Sequence, residues 1–92
     1  MNLKLPTEIQ KEIAEKAKRL RKQHQLTQAT LAHKSGLSLA SLKRFEQSGK
    51  IALTSLLKIA YVLDAIEGFQ GLFEPKKELP KSLDEIIKKQ QK

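Results

Sequence analysis

The 92-residue chain contains no cysteine. That removes disulfides, thiol nucleophiles and cysteine-bound zinc, and it suits a reducing cytoplasm. Glycine and proline are scarce, at four and three residues. No strand-length stretch alternates apolar with polar, so the composition reads as helical. Unbroken apolar runs extend over only a few residues, which excludes a membrane-spanning helix. The opening Met1-Asn2-Leu3-Lys4-Leu5-Pro6 lacks the apolar stretch of a secretory signal. No internal repeat, phosphate-cradling glycine loop, nucleotide fingerprint or Ser-His-Asp order is present. His24 and His33 have no third ligand nearby and read as surface residues. Asp84 and Glu85 are adjacent and fit the charge of a helix N-terminus better than paired acid–base chemistry. No metal, cofactor or enzymatic activity is therefore expected, and a core of this size leaves little volume for a substrate pocket.

What the chain does have is positive charge. Lys and Arg number 18 against 10 Asp and Glu, a formal net charge of +8. The excess is uneven. Residues 1–25 carry seven basic and three acidic side chains, and residues 26–50 carry four and one. Residues 51–73 carry one and two, and residues 74–92 carry six and four. The first half thus suits an anionic partner, while 51–73 suits contact with protein. The plainer reading, that lysine keeps a small domain soluble, stays open on charge alone.

An all-α domain of five helices is expected over residues 1–73, with a linker and basic tail over 74–92. The first helix is read from Thr7, with Gln10 completing a capping box, to about 23–25. Ile9, Ile13, Ala17 and Leu20 mark its buried stripe. Thr27 caps a second helix that ends at Gly36, and Ser38 caps a third that runs to about Gln47. Leu53, Leu56, Leu57, Ala60 and Leu63 stripe a fourth, roughly 53–64. Ile66, Phe69, Leu72 and Phe73 stripe a short fifth, ending at Pro75. Ser82 to Glu85 repeats the capping pattern, so the tail admits a short helix, marginal on its own.

The informative stretch is Thr27 to Glu46. Two short helices meet at Gly36-Leu37-Ser38, with Leu31, Ala32, Leu37, Leu42 and Phe45 where crossing helices bury side chains. Such a pair is a helix-turn-helix, whose second helix enters the major groove of DNA. The chemistry of the third helix fits that task. Arg44 can donate two parallel bonds to a guanine edge, and Lys43 and Lys50 suit phosphate. Leu39 and Ala40 can meet thymine methyl groups, or Leu39 can pack against the core or a second copy. For Lys43 and Arg44 the plain alternative is a solvated face.

At these residues the chain resembles the lambdoid-phage-repressor or XRE-like helix-turn-helix family. The matching pieces are Leu20-Arg21, Leu26 to Ala32, Ser35 to Ser38, Leu42 to Glu46, and Leu56 to Ala60. The resemblance implies that Gln28 contacts the DNA backbone and that the third helix reads bases through Ser38, Leu39, Ala40, Ser41, Lys43 and Arg44. It also implies that Lys50 lies in a phosphate-touching loop and that Arg21 and Glu46 form a largely buried ion pair. Two departures stand out. Gln25 stands where the family often has glycine, and the loop 48–52 is short and lacks proline.

Leu53, Ile66, Phe69, Leu72 and Phe73 are more apolar than one small core requires. As an exposed ridge, Ile66, Phe69, Leu72 and Phe73 would serve a symmetric homodimer, although plain core packing remains the alternative. The pattern Ser48 to Ala60, then Gly71-Leu72-Phe73, then Ser82 to Ile87 is similar to HipB-type antitoxins. That resemblance implies a cytoplasmic autorepressor that binds a palindromic operator as a dimer and also holds a HipA-like serine/threonine kinase toxin. A stand-alone regulator, or mainly a protein-interaction module, is the competing reading.

Overall fold

Five helices follow one another through residues 3–75, which the computed structural model describes, and no strand occurs among those residues. They are α1 (Pro6–Gln23), α2 (Gln28–Ser35), α3 (Leu39–Ser48), α4 (Leu53–Val62) and α5 (Glu67–Gln70). The suggested tail helix and the linker expected from residue 76 onward lie outside the described residues.

The start of α1 differs from the expected capping box. The helix begins at Pro6 on the backbone of Leu5, with no side-chain cap, and Thr7 lies inside it. Proline at this position carries no amide that needs an acceptor, and its fixed φ already suits a helix, so Pro6 makes the cap at Thr7 unnecessary. Lys4 bonds Glu12 and ties the extended entry to the second turn. That hydrogen bond holds the Glu12 carboxyl below the usual carboxylate range. Ile9 was expected in the core but is 42% exposed, because the loop at Gly49 packs on Gln10 and leaves the neighbouring Ile9 outside the core cluster. Ala14 is buried instead, with Ile13, Ala17 and Leu20 packed around it.

α2 and α3 start and stop as their sequences demand. The Thr27 hydroxyl accepts the Thr30 amide, and the Ser38 hydroxyl accepts the Ser41 amide. The core runs between the helices: Leu31 and Ala32 of α2, Leu42 and Phe45 of α3, Ile59 of α4 and Leu63 just beyond it. α1 packs on α3, and α2 packs on both α3 and α4. α4 ends at Val62, two residues earlier than expected. α5 is a single turn, so Leu72 and Phe73 do not extend its stripe.

Three helices end in the same way. Gln25 and Leu26 donate to the carbonyls of Lys22 and Arg21, Gly36 and Leu37 to those of His33 and Ala32, and Asp64 and Ala65 to those of Tyr61 and Ala60. This doubled bond pattern needs one left-handed residue. Gly36 supplies it without steric cost, whereas Gln25 and Asp64 adopt φ of 58° and 57° despite their Cβ atoms. The missing glycine at Gln25 therefore changes the strain of the turn and leaves its shape intact.

Gly49, after α3, combines two demands. Its φ is +79°, and an added Cβ would stand 2.7 Å from the backbone carbon and oxygen of Gln10 in α1. Gly36 has open space around the same position. Gly36→Ala should therefore cost about 1–2 kcal/mol for the backbone alone. Gly49→Ala should cost more, about 2–4 kcal/mol, because α1 must also move away from α3. Urea denaturation of both variants checks the order. Gln25→Gly should raise stability by about 0.5–1 kcal/mol in the same assay, since it relieves a left-handed non-glycine residue.

Candidate nucleic-acid interface

The helix expected to read bases lies on the outside. Ser38, Leu39, Ala40, Ser41, Lys43 and Arg44 are all exposed, while Leu42 and Phe45 point into the core. Leu39 is outside the hydrophobic cluster, so the core-packing alternative for it does not hold. The one carboxylate on α3 is Glu46, and its side chain is only 3% exposed. No acidic group therefore competes for the cations of this helix from its outer side. Lys43, Arg44 and Lys50 make no ion pair among the described residues.

Glu46 is turned inward by a network that ties three elements together. Arg21 of α1 donates from Nε to Glu46 Oε2 at 2.7 Å and from Nη2 to Oε1 at 3.1 Å. Its Nη1 donates to the Leu26 carbonyl at 2.9 Å. The Leu26 amide in turn donates to the Arg21 carbonyl at 3.1 Å, which closes the turn between α1 and α2. Gln28, the first residue of α2, donates from Nε2 to Glu46 Oε1 at 2.9 Å. The planar guanidinium serves two acceptors at once, which a lysine ammonium would not do with the same geometry.

Arg44 and Lys50 meet at a shallow cleft of about 350 Å³, lined also by Ser41, Ile51, Ala52 and Ser55. α4 begins here on Ala52, whose side chain provides no cap. The amides at the start of a helix have no intrahelical acceptor, and the helix dipole makes this end positive. Two cations and an uncapped helix start therefore face one opening, a setting that stabilises an anionic oxygen. The short loop before it is held by Ser48. Its hydroxyl donates to the Arg44 carbonyl at 2.6 Å and accepts the Lys50 amide at 3.1 Å. The absence of proline thus does not loosen this loop.

Residues 18–67 match the family model HTH_3, described as helix-turn-helix. The chain belongs to this family of phage-repressor-like and XRE-like helix-turn-helix proteins. It is a DNA-binding transcription regulator. No curated protein matches the chain.

Within this helix-turn-helix protein the expected DNA residues separate into groups. Ser41, Arg44 and Lys50 share the cleft. Gln28 stands apart at the start of α2, half-buried and engaged with Glu46. Ser38 is exposed, but its hydroxyl donates to Ser41 Oγ at 2.8 Å as part of the cap. Leu39, Ala40 and Lys43 present themselves outward without partners of this kind. Ser48, Ser55 and the uncapped start of α4 were not expected as part of the site. The signal was available in the sequence, because a helix beginning near residue 53 leaves Ala52 at a cap position it cannot fill.

His24 and His33 are exposed, and no group of His, Cys, Asp and Glu suited to a metal occurs among the described residues. No described helix is long and apolar enough to cross a membrane. The apolar ridge expected in the second half is not continuous. Leu53 lines a hollow with Gln10 and Phe45 at the first turn of α4, and Ile66 lines a cleft against α2. Phe69 and Leu72 line a groove against α1, and Phe73 is fully exposed. Because α5 is only one turn long, these side chains leave the backbone on different sides.

Removing one member of the buried pair leaves the other charged and desolvated. Glu46→Ala should therefore lower stability by about 3–5 kcal/mol, a large part of what a domain this small has. The double variant Arg21→Met/Glu46→Leu should be less destabilised than Glu46→Ala, because no orphan charge remains. Thermal and urea melts of the two variants distinguish these outcomes.

Proposed function

We propose that the chain is a sequence-specific repressor that acts as a homodimer on a palindromic operator. The observation that carries this reading is the outer side of α3: uncovered, free of carboxylates, and continuous with the Arg44–Lys50 cleft. In this reading α3 lies in the major groove. Arg44 donates to the O6 and N7 atoms of a guanine, and Leu39 and Ala40 meet thymine methyl groups. Lys43 and Lys50 neutralise phosphates, with Ser38 and Ser41 beside the same strand. Gln28 approaches the backbone at the start of α2, its amide plane set by Glu46.

Dimerisation places two copies of α3 about 34 Å apart, on successive turns of one face of the duplex. The surface best suited to it is the groove of about 400 Å³ between α1 and α4, lined by Ile13, Ala17, Leu20, Leu63, Phe69 and Leu72. Phe73, fully exposed, completes the proposed interface, whereas Ile66 lies in the cleft against α2 and is not part of it. The setting is the cytoplasm, where operator DNA is.

The likeness of residues 48–60, 71–73 and 82–87 to HipB-type antitoxins supports a further role. The repressor would govern its own operon and restrain a HipA-like serine/threonine kinase toxin encoded beside it. Co-purification with the product of the neighbouring reading frame, and loss of kinase activity on adding this chain, test that role. A fully active kinase at saturating amounts of the chain leaves a stand-alone regulator.

Gel-shift titration against the promoter of the chain's own operon tests the DNA reading. Arg44→Ala should cost about 1–3 kcal/mol and relax preference at one base pair. Lys50→Ala should weaken all sequences alike and reduce the slope of log affinity against log salt by about 1. No retardation at moderate salt by folded dimer would overturn the repressor reading. Phe69→Asp should shift the chain toward monomer in sedimentation, with a matching loss of operator affinity.

A further inference from the structure

The two flanks of α4 carry hollows of different chemistry. The groove against α1 is apolar, and Lys16 is the one charged residue that lines it. The cleft against α2, about 430 Å³, is lined by Lys34, Ser35, Leu57, Lys58, Tyr61 and Ile66 among others. No carboxylate lines this second cleft. Ser35 is 4% exposed, and its hydroxyl oxygen has no hydrogen-bond partner among the described residues. A buried hydroxyl without a partner costs stability, and on a residue that lines a cleft it is a donor available to an occupant of that cleft. Tyr61 is 75% exposed at the same cleft, although tyrosine is a residue type that anchors interfaces. The cleft shares no lining residue with the Arg44–Lys50 cleft, so DNA and a second partner need not compete.

We propose that this cleft docks an acidic segment of another protein. A carboxylate of that segment sits between the Lys34 and Lys58 ammoniums, and an oxygen of the segment accepts the Ser35 hydroxyl proton. An apolar side chain next to the carboxylate packs on Leu57, Ile66 and the Tyr61 ring. Two features argue against a second copy of this chain as the occupant. A chain of net charge +8 meets a cationic cleft with like charge. The apolar groove on the other flank carries no such penalty and offers a better self-association surface. The inference requires neither the operator nor the toxin reading, since it concerns a separate face.

The test is a titration of the isotope-labelled full chain with a short synthetic peptide alternating glutamate and leucine, followed by amide chemical shifts. The glutamate peptide should move the resonances of Lys34, Ser35, Lys58 and Tyr61, and its glutamine counterpart should move none. Reversing both cations, Lys34→Glu with Lys58→Glu, should weaken peptide binding at least about tenfold and leave operator affinity within about twofold. Ser35→Ala should weaken the peptide several-fold while raising the Tm of the free chain by a few degrees, because the unpaired hydroxyl is gone. A purely structural serine would not give those two opposite signs. Shifts confined to α3 and Lys50 would mean that the peptide imitates DNA, and the proposal fails. It fails equally if the charge reversal leaves peptide affinity unchanged, or if it alters the dimer mass or operator affinity instead.

Discussion

The Arg21–Glu46 pair is the constraint on which the DNA-facing geometry depends. Glu46 is the last carboxylate before the loop that carries Lys50, and it lies on the helix that must present cations outward. Exposed, it would set a negative charge beside Lys43, three residues back on the same helix. Its inward rotation requires a partner, and Arg21 meets it with two parallel bonds while a third holds the Leu26 carbonyl. One guanidinium thereby sets the angle of α3 on α1 and closes the turn into α2. Desolvating two charges offsets most of their attraction, so the pair adds little net stability. Leu42 and Phe45 already turn one side of α3 into the core, and the pair adds directional bonds that tie that helix to α1 and to the Leu26 carbonyl.

Gln28 extends this constraint toward the ligand. Its amide nitrogen is engaged with the same carboxylate oxygen that Arg21 Nη2 contacts. The side chain that meets the DNA backbone in the proposed complex is thus set before DNA arrives, so less side-chain entropy remains to be lost on binding. Ser48, in the same last turn of α3, accepts the Lys50 amide and fixes the backbone there. The two residues proposed to meet phosphate at this end, Gln28 and Lys50, are thus both tied to the C-terminal turn of α3. Rotating α3 would move both, so affinity and register are coupled through one rigid element.

Much of this was legible in the sequence, and the exceptions have physical causes. α2, its stop at Gly36 and the start of α3 at Ser38 follow from local chemistry, since a hydroxyl cap and a left-handed glycine act within a few residues. The start of α1 was misplaced because Thr7 and Gln10 imitate a capping box, whereas Pro6 outranks it with a fixed φ and no amide to satisfy. The exposure of Ile9 was not readable, because periodicity shows which face is apolar and not how far the neighbouring helices reach. The second-half ridge was misread for a related reason. Helical spacing from Ile66 to Phe73 presumes a helix of two turns, and α5 closes after one. The Arg44–Lys50 cleft joins residues from two elements, and its helix-start amides belong to no side-chain motif.

The short α5 also explains why the surface of α4 divides. A longer fifth helix would lie along α4 and cover one flank. Instead the chain turns sharply at Asp64, in a left-handed conformation that glycine would adopt more easily. Ala65 follows immediately into the groove against α1, while Ile66 faces α2. The turn therefore leaves both flanks of α4 open, one apolar and one rimmed by lysines. Ser55 of α4 borders the cationic cleft beside α3, Leu56 and Ile59 the groove against α1, and Thr54 and Leu57 the cleft against α2. A helix of ten residues is about 15 Å long, so these surfaces are within one helix length of one another. Ile59, Ala60 and Leu63 line only the apolar groove, and the three surfaces have no lining side chain in common, so each can be occupied without displacing a wall of another.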